Sequence, residues 1–177
     1  MTRVFVGVLI PEGLKSPVLE VQKTLKNLPI EGKFVERENL HISLDFLGDV
    51  DETKLKEIKD RISELAKKIK SFVIEIGNLK LIPNEKRVRV IALDVNSPEL
   101  EEIGKKLKQE IGGDVKPPHV TLCRIKKIIP KRNLLEEFER MNGEKIGSFK
   151  MSSIQLIASE LRSEGPVYSV ISEFPLG

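Results

Sequence analysis

The sequence holds two histidines, and each opens the same short word: His41-Ile42-Ser43-Leu44 in the first half and His119-Val120-Thr121-Leu122 in the second. A free imidazole titrates near pH 6.5, roughly, so two of them can be held in opposite protonation states around neutrality. One then takes a proton from a nucleophile while the other gives one to a leaving group. The hydroxyl two positions on, Ser43 or Thr121, is a small donor suited to a non-bridging phosphate oxygen. Together these are the parts for phosphodiester transfer without a metal. On strands, strict alternation puts His41, Ser43 and Asp45 on one face and Ile42, Leu44 and Phe46 on the other. In the second copy it groups His119, Thr121 and Cys123, opposite Val120 and Leu122.

One such word carries little information, because a lone histidine on a half-buried strand usually packs and hydrogen-bonds. The repetition, using every histidine in the chain, favours one shared site. Zinc fits less well: a catalytic zinc wants about three protein ligands, and two histidines fall short. Asp45 can supply a third ligand, but no H-x-H or H-x-x-x-H spacing supports that reading.

The elements that must carry these words follow from periodicity. Residues 2–10 read as a strand ended by Pro11, and Leu14, Val18, Val21, Leu25 and Leu28 mark a helix face to about Asn27, with Pro17 in its first turn. Phe34-Val35 reads as a short extended piece. The first motif strand runs from about Leu40 to Leu47 and ends at Gly48. Asp51 caps a helix carrying Leu55, Ile58, Ile62, Leu65 and Ile69. Strands at 72–82 and 87–95 form a hairpin around Pro83-Asn84-Glu85-Lys86. Ser97-Pro98 opens a helix through Ile111 that Gly112-Gly113 stops. The second motif strand spans about His119 to Ile125; a helix follows from Lys131 to Met141, ending at Asn142-Gly143, then strands at 148–158 and 167–174.

Each half therefore runs strand, helix, histidine strand, helix, strand, with an internal repeat of approximately 1–82 and 87–177 inside one domain spanning 1–177. The expected fold is α+β: two pseudo-symmetric lobes, each a mainly antiparallel sheet with outer helices, facing across a central cleft.

Composition narrows the setting. The net charge is +3, but Lys116, Arg124, Lys126, Lys127, Lys131 and Arg132 form a basic run around His119 with no acidic residue inside it. That suits a polyanion such as RNA. No apolar run is long enough to span a bilayer, and the opening segment reads as a strand rather than a signal peptide. A single cysteine, Cys123, excludes an internal disulfide framework and fits a reducing cytoplasm. Charged residues make up 32% of the chain, mostly Lys and Glu, with no Trp, a composition compatible with heat adaptation.

Three further stretches join the histidine words: Arg3-Val4-Phe5-Val6-Gly7-Val8, the flanks Glu38-Asn39-Leu40 and Asp45-Phe46-Leu47-Gly48, and a tail with Ser159, Leu161, Gly165 and Tyr168. With them the chain resembles the two-histidine (2H) phosphoesterases, and within these the LigT-like RNA 2′,3′-cyclic phosphodiesterases, also called 2′-5′ RNA ligases. The resemblance implies an enzyme without metal or other cofactor, acting on RNA ends that carry a 2′,3′-cyclic phosphate, tRNA fragments among the candidates; a monomer is the expected state. It implies His41 as proton donor to the leaving O3′ and His119 as proton acceptor from water. Ser43, Thr121 and Arg124 are the implied phosphate-binding residues; Arg124 requires a bulge or bend to reach the face of His119. If a 5′-hydroxyl replaces water, the same transfers make a 2′-5′ linkage. The alternatives are a small-nucleotide cyclic phosphodiesterase of the ADP-ribose type and a non-catalytic binder of RNA or nucleotides.

Overall fold

The computed structural model describes residues 1–141 and 146–177. The elements are β1 (Thr2–Leu9), α1 (Glu12–Leu25), β2 (Ile30–Phe34), β3 (His41–Val50), α2 (Glu52–Lys67), β4 (Phe72–Asn84), β5 (Arg87–Val95), α3 (Pro98–Ile111), β6 (His119–Ile128), α4 (Leu134–Met141), β7 (Gly147–Met151), β8 (Ser153–Arg162) and β9 (Gly165–Pro175). Among the described residues, nine strands form one sheet in the order β7-β4-β5-β6-β3-β1-β8-β9, with β2 also paired to β6. Among the described residues these strands pair antiparallel throughout.

The helix signals act as their chemistry dictates. The Asp51 carboxylate accepts from the Lys54 amide at 2.7 Å, and the Ser97 hydroxyl from the Leu100 amide at 3.2 Å. Gly112, at φ 76°, adopts a positive-φ conformation open to glycine that ends α3 after its buried stripe Leu100, Ile103, Leu107 and Ile111. Two punctuation marks act differently from expectation. Helix α1 starts at Glu12, so Pro17 lies inside the helix rather than in its first turn. Gly48 does not end the motif strand: at φ 74° it sits beside a register shift against β1, and β3 runs on to Val50. The expected helix stop at Asn142-Gly143 lies outside the described residues.

The sheet is organised about a single ladder pair, Ile42 with Val120, which joins β3 to β6. Outward from it the strand order is mirrored: β3 and β6 are followed by β1 and β5, then β8 and β4, then β9 and β7. The two sides of the sheet are not, however, the two halves of the chain. Strand β4, from the first half, pairs with β5, while β8, from the second, pairs with β1. The helices divide likewise: α2 and α3 contact one another and cover β3, β8 and β9. Helix α1 serves the other side, where Gln22 donates to the Leu122 carbonyl of β6 at 3.0 Å and Leu14 lies against Gly147 of β7.

The expected strand at 148–158 is two strands, β7 and β8, parted at Ser152. They pair with β4 and β1 on opposite sides of the sheet. One residue reaches no further than about 3.5 Å, so the sheet must curl to bring the β7 end round to β8. Turning this corner leaves Met151 and Ile154 both buried in the core. No Gly or Pro marks it.

Candidate active site

The histidine strands share a local irregularity. On β3, Ser43 pairs with Gly7 of β1 while Asp45 pairs with Val6, so Leu44 is an extra residue. On β6, Thr121 pairs with Ala92 of β5 while Cys123 pairs with Ile91, so Leu122 is the extra one. A bulge puts two residues opposite one and reverses the alternation beyond it. Asp45 and Cys123 therefore turn into the core, both 0% exposed, while Phe46 and Arg124 turn outward. The simple grouping of Asp45 with His41, and of Cys123 with His119, is overturned for this reason. Arg124 gains the bulge it needs to share a face with His119 and Thr121.

The Ile42–Val120 register also sets the histidines relative to each other. One residue either way from that pair brings His41 opposite Thr121 and Ser43 opposite His119. The two rings are thus diagonal neighbours, and such positions in an antiparallel pair lie about 7–8 Å apart. Each histidine thus holds the strand position opposite the hydroxyl residue of the other word.

The ring orientations are fixed alike. Nδ1 of His41 lies 2.7 Å from the Asn39 carbonyl, and Nδ1 of His119 lies 2.8 Å from the Pro117 carbonyl. A carbonyl oxygen can only accept, so Nδ1 carries a proton in both rings and Nε2 is the atom left for chemistry. Nε2 of His41 is 2.9 Å from Ser43 Oγ. Among the described residues, nothing hydrogen-bonds Nε2 of His119 or the Thr121 hydroxyl.

The surroundings differ more than the words do. His41 is enclosed by aromatics, with Phe5 at 5.0 Å and Tyr168 meeting it edge-on at 5.1 Å between centroids. Burial holds its pKa below the ordinary 6.5; the Asn39 carbonyl opposes this, while His119 and Arg124 add to it. Burial lowers His119 as well, opposed by the Pro117 carbonyl and reinforced by Lys80, Arg124 and Lys116. Arg124 also acts on Tyr168, so its charge reaches both histidines and the aromatic wall.

Several of these groups were not legible from one strand. Lys80 lies across β5 from the site, in the row Lys80, Ala92, Thr121, and pairs with Asp94 at 3.1 Å. Asn39 is buried, and its side-chain amide donates to the Pro166 carbonyl at 2.8 Å, tying the His41 support to β9. Its place two residues before a motif histidine, matching Pro117, was the available signal. The basic run around His119 disperses in space: Arg132 binds Glu137 and the Asn27 carbonyl, and Lys116 pairs with Asp114 at 3.7 Å. Among the described residues, no three His, Cys, Asp or Glu side chains converge as a metal centre would require.

A curled antiparallel sheet with one histidine word on each of its two central strands is the architecture of a two-histidine phosphoesterase. The family model for LigT-like phosphoesterases matches residues 8–92. An RNA 2′,3′-cyclic phosphodiesterase of Methanothermobacter thermautotrophicus is 34% identical, covering 98% of this chain and 98% of that protein. Another of the same name from Methanocaldococcus jannaschii is 35% identical, covering 97% and 99%. The chain belongs to this family of LigT-like phosphoesterases. Its fold matches a crystal structure from Thermus thermophilus with a TM-score of 0.83 at 24% identity, covering 98% and 97% of the two chains. E. coli LigT in apo form gives 0.76 at 20% identity, covering 99% and 97%.

Proposed function

We propose that the protein opens RNA 2′,3′-cyclic phosphate ends to 2′-phosphates, with His41 and His119 as an acid and base pair. The relatives named for that reaction support the substrate class. The observation that carries the mechanism is the diagonal pair of histidines, each protonated at Nδ1 and each opposite the hydroxyl residue of the other word. Water attacks phosphorus in line with O3′. Neutral His119 takes a water proton on Nε2, the P–O3′ bond breaks, and imidazolium His41 gives its Nε2 proton to O3′. The product carries a 2′-phosphate and a free 3′-hydroxyl; solvent exchange then restores both rings.

The assignment of base to His119 rests on its surroundings. Among the described residues nothing hydrogen-bonds its Nε2, which is free to accept a proton, whereas Nε2 of His41 is already 2.9 Å from Ser43 Oγ. A phosphate anion seated between the rings favours the charged form of both, offsetting the burial that lowers each, so that one ring can hold the proton it gives to O3′. Ser43 and Thr121 hold the non-bridging oxygens, with Arg124 balancing the charge that develops there. A 5′-hydroxyl entering on the more open His119 side in place of water yields a 2′-5′ linkage by the same proton transfers.

End-group analysis of a defined RNA bearing a cyclic phosphate tests this reading. A 2′-phosphate product is expected; a 3′-phosphate product, or an unopened ring, contradicts it.

A further inference from the structure

Strand β2 runs along the edge of β6, and its register puts Lys33 directly opposite Arg124. Cross-strand partners point to the same face, so both cations look out on the side of His119 and Thr121. Like charges directly opposite one another destabilise a strand pair. The two lysines that act on His119 are already paired, Lys80 with Asp94 and Lys116 with Asp114. Lys33 and Arg124 have no carboxylate partner among the described residues; Lys33 instead contacts the main-chain carbonyl of Glu164 at the turn of the β8–β9 hairpin. Both are exposed. Two uncompensated cations held side by side, next to a phosphate-processing site, make a place prepared for an anion.

We infer that Lys33 binds the phosphodiester on the 5′ side of the terminal nucleotide, so that the site reads an RNA chain in preference to an isolated cyclic nucleotide. The inference rests on the hydrolase reading above. Arg124 lies three positions beyond Thr121, a span of at most about 10 Å along a strand. Lys33, level with Arg124 on the neighbouring strand, is at a similar remove from the site; with Arg124 given to the reacting phosphate, Lys33 is left to take the next one. On binding, the Lys33 ammonium exchanges the Glu164 carbonyl for a phosphate oxygen, a stronger, charge-assisted contact.

The test compares Lys33→Ala and Lys33→Arg with the parent on two substrates: a nucleoside 2′,3′-cyclic phosphate, and a dinucleotide ending in that same nucleotide. For Lys33→Ala, kcat/KM on the dinucleotide should fall about three- to tenfold while the mononucleotide value stays put. The slope of log kcat/KM against log salt for the dinucleotide should flatten by about 0.7, one phosphate contact on a single strand. Lys33→Arg should keep the parent's preference. An unchanged ratio of the two substrates in Lys33→Ala would overturn the inference and leave the hydrolase reading intact. Equal losses on both substrates would also overturn it, by showing that Lys33 merely steadies the hairpin. A parent that opens neither ring would remove the hydrolase reading and this inference with it.

Discussion

Both imidazoles are held by the same device, an Nδ1 proton donated to the carbonyl of the residue two places upstream. Their titration is the first consequence. In the free site burial holds each pKa below 6.5, and a titration would report the interacting pair rather than either ring. The base must be neutral and the acid protonated, so kcat/KM should follow a bell centred below pH 6.5 and be falling by neutrality. Bound phosphate favours the charged rings, so the kcat profile should sit at higher pH. A kcat/KM maximum above pH 7.5 would contradict this. At the neighbouring hydroxyl, Thr121→Val keeps the shape of the side chain and removes the donor. It should lower kcat by about 10²-fold if that hydroxyl meets the charge of the transition state; a kcat equal to the parent's would exclude the role.

At the scale of elements, the paired bulges decide what the site contains. They carry Arg124 to the histidine face and take Asp45 away from it. The sequence displayed the words themselves, because the residues at alternate positions could be read without knowing any partner strand. It did not display the bulges: Leu44 and Leu122 look like ordinary buried strand residues, and only the count on β1 and β5 reveals the extra residue. The corner at Ser152 was hidden for the same reason. Capping signals at Asp51 and Ser97 were readable because their chemistry is local. One close approach holds β1 on the first bulge. A Cβ on Gly7 would strike the backbone carbonyl of Ile42, next to His41. Gly7→Ala should cost about 1–3 kcal/mol in denaturant unfolding, as overpacking does, and lower activity along with it. Parent-like stability would show that β1 can shift freely.

Over the whole molecule, the histidine pair depends on two sheet sides that exchange strands and meet at one ladder pair. The mirrored element order was visible as a repeat, but which side each third strand joins was not, since the hydrophobic pattern of a strand does not name its neighbour. This exchange makes global stability and the site inseparable, and Asp45 reports on the former. It is 0% exposed, neither oxygen has a hydrogen-bond partner among the described residues, and burial raises its pKa to about 7. A folded pKa above the unfolded one gives a contribution that is complete below about pH 4. It drains away as the pH rises towards 7, because the unfolded chain ionises first. The amount is on the order of a few kcal/mol. Asp45→Asn cannot ionise, so between pH 4 and 7 its unfolding free energy should decline less with pH than the parent's. Parallel curves would show that Asp45 is ionised in the fold.

The central claim is that the two histidines serve one phosphorus atom. Steady-state kcat/KM on a cyclic-phosphate RNA, for His41→Ala, His119→Ala and the double variant, tests it most directly. Each single substitution should cost about 10²–10⁴-fold. The double should fall no more than about tenfold below the worse single, because groups that act as a unit are not additive. A single variant within a few-fold of the parent, or losses that multiply in the double, would contradict the account.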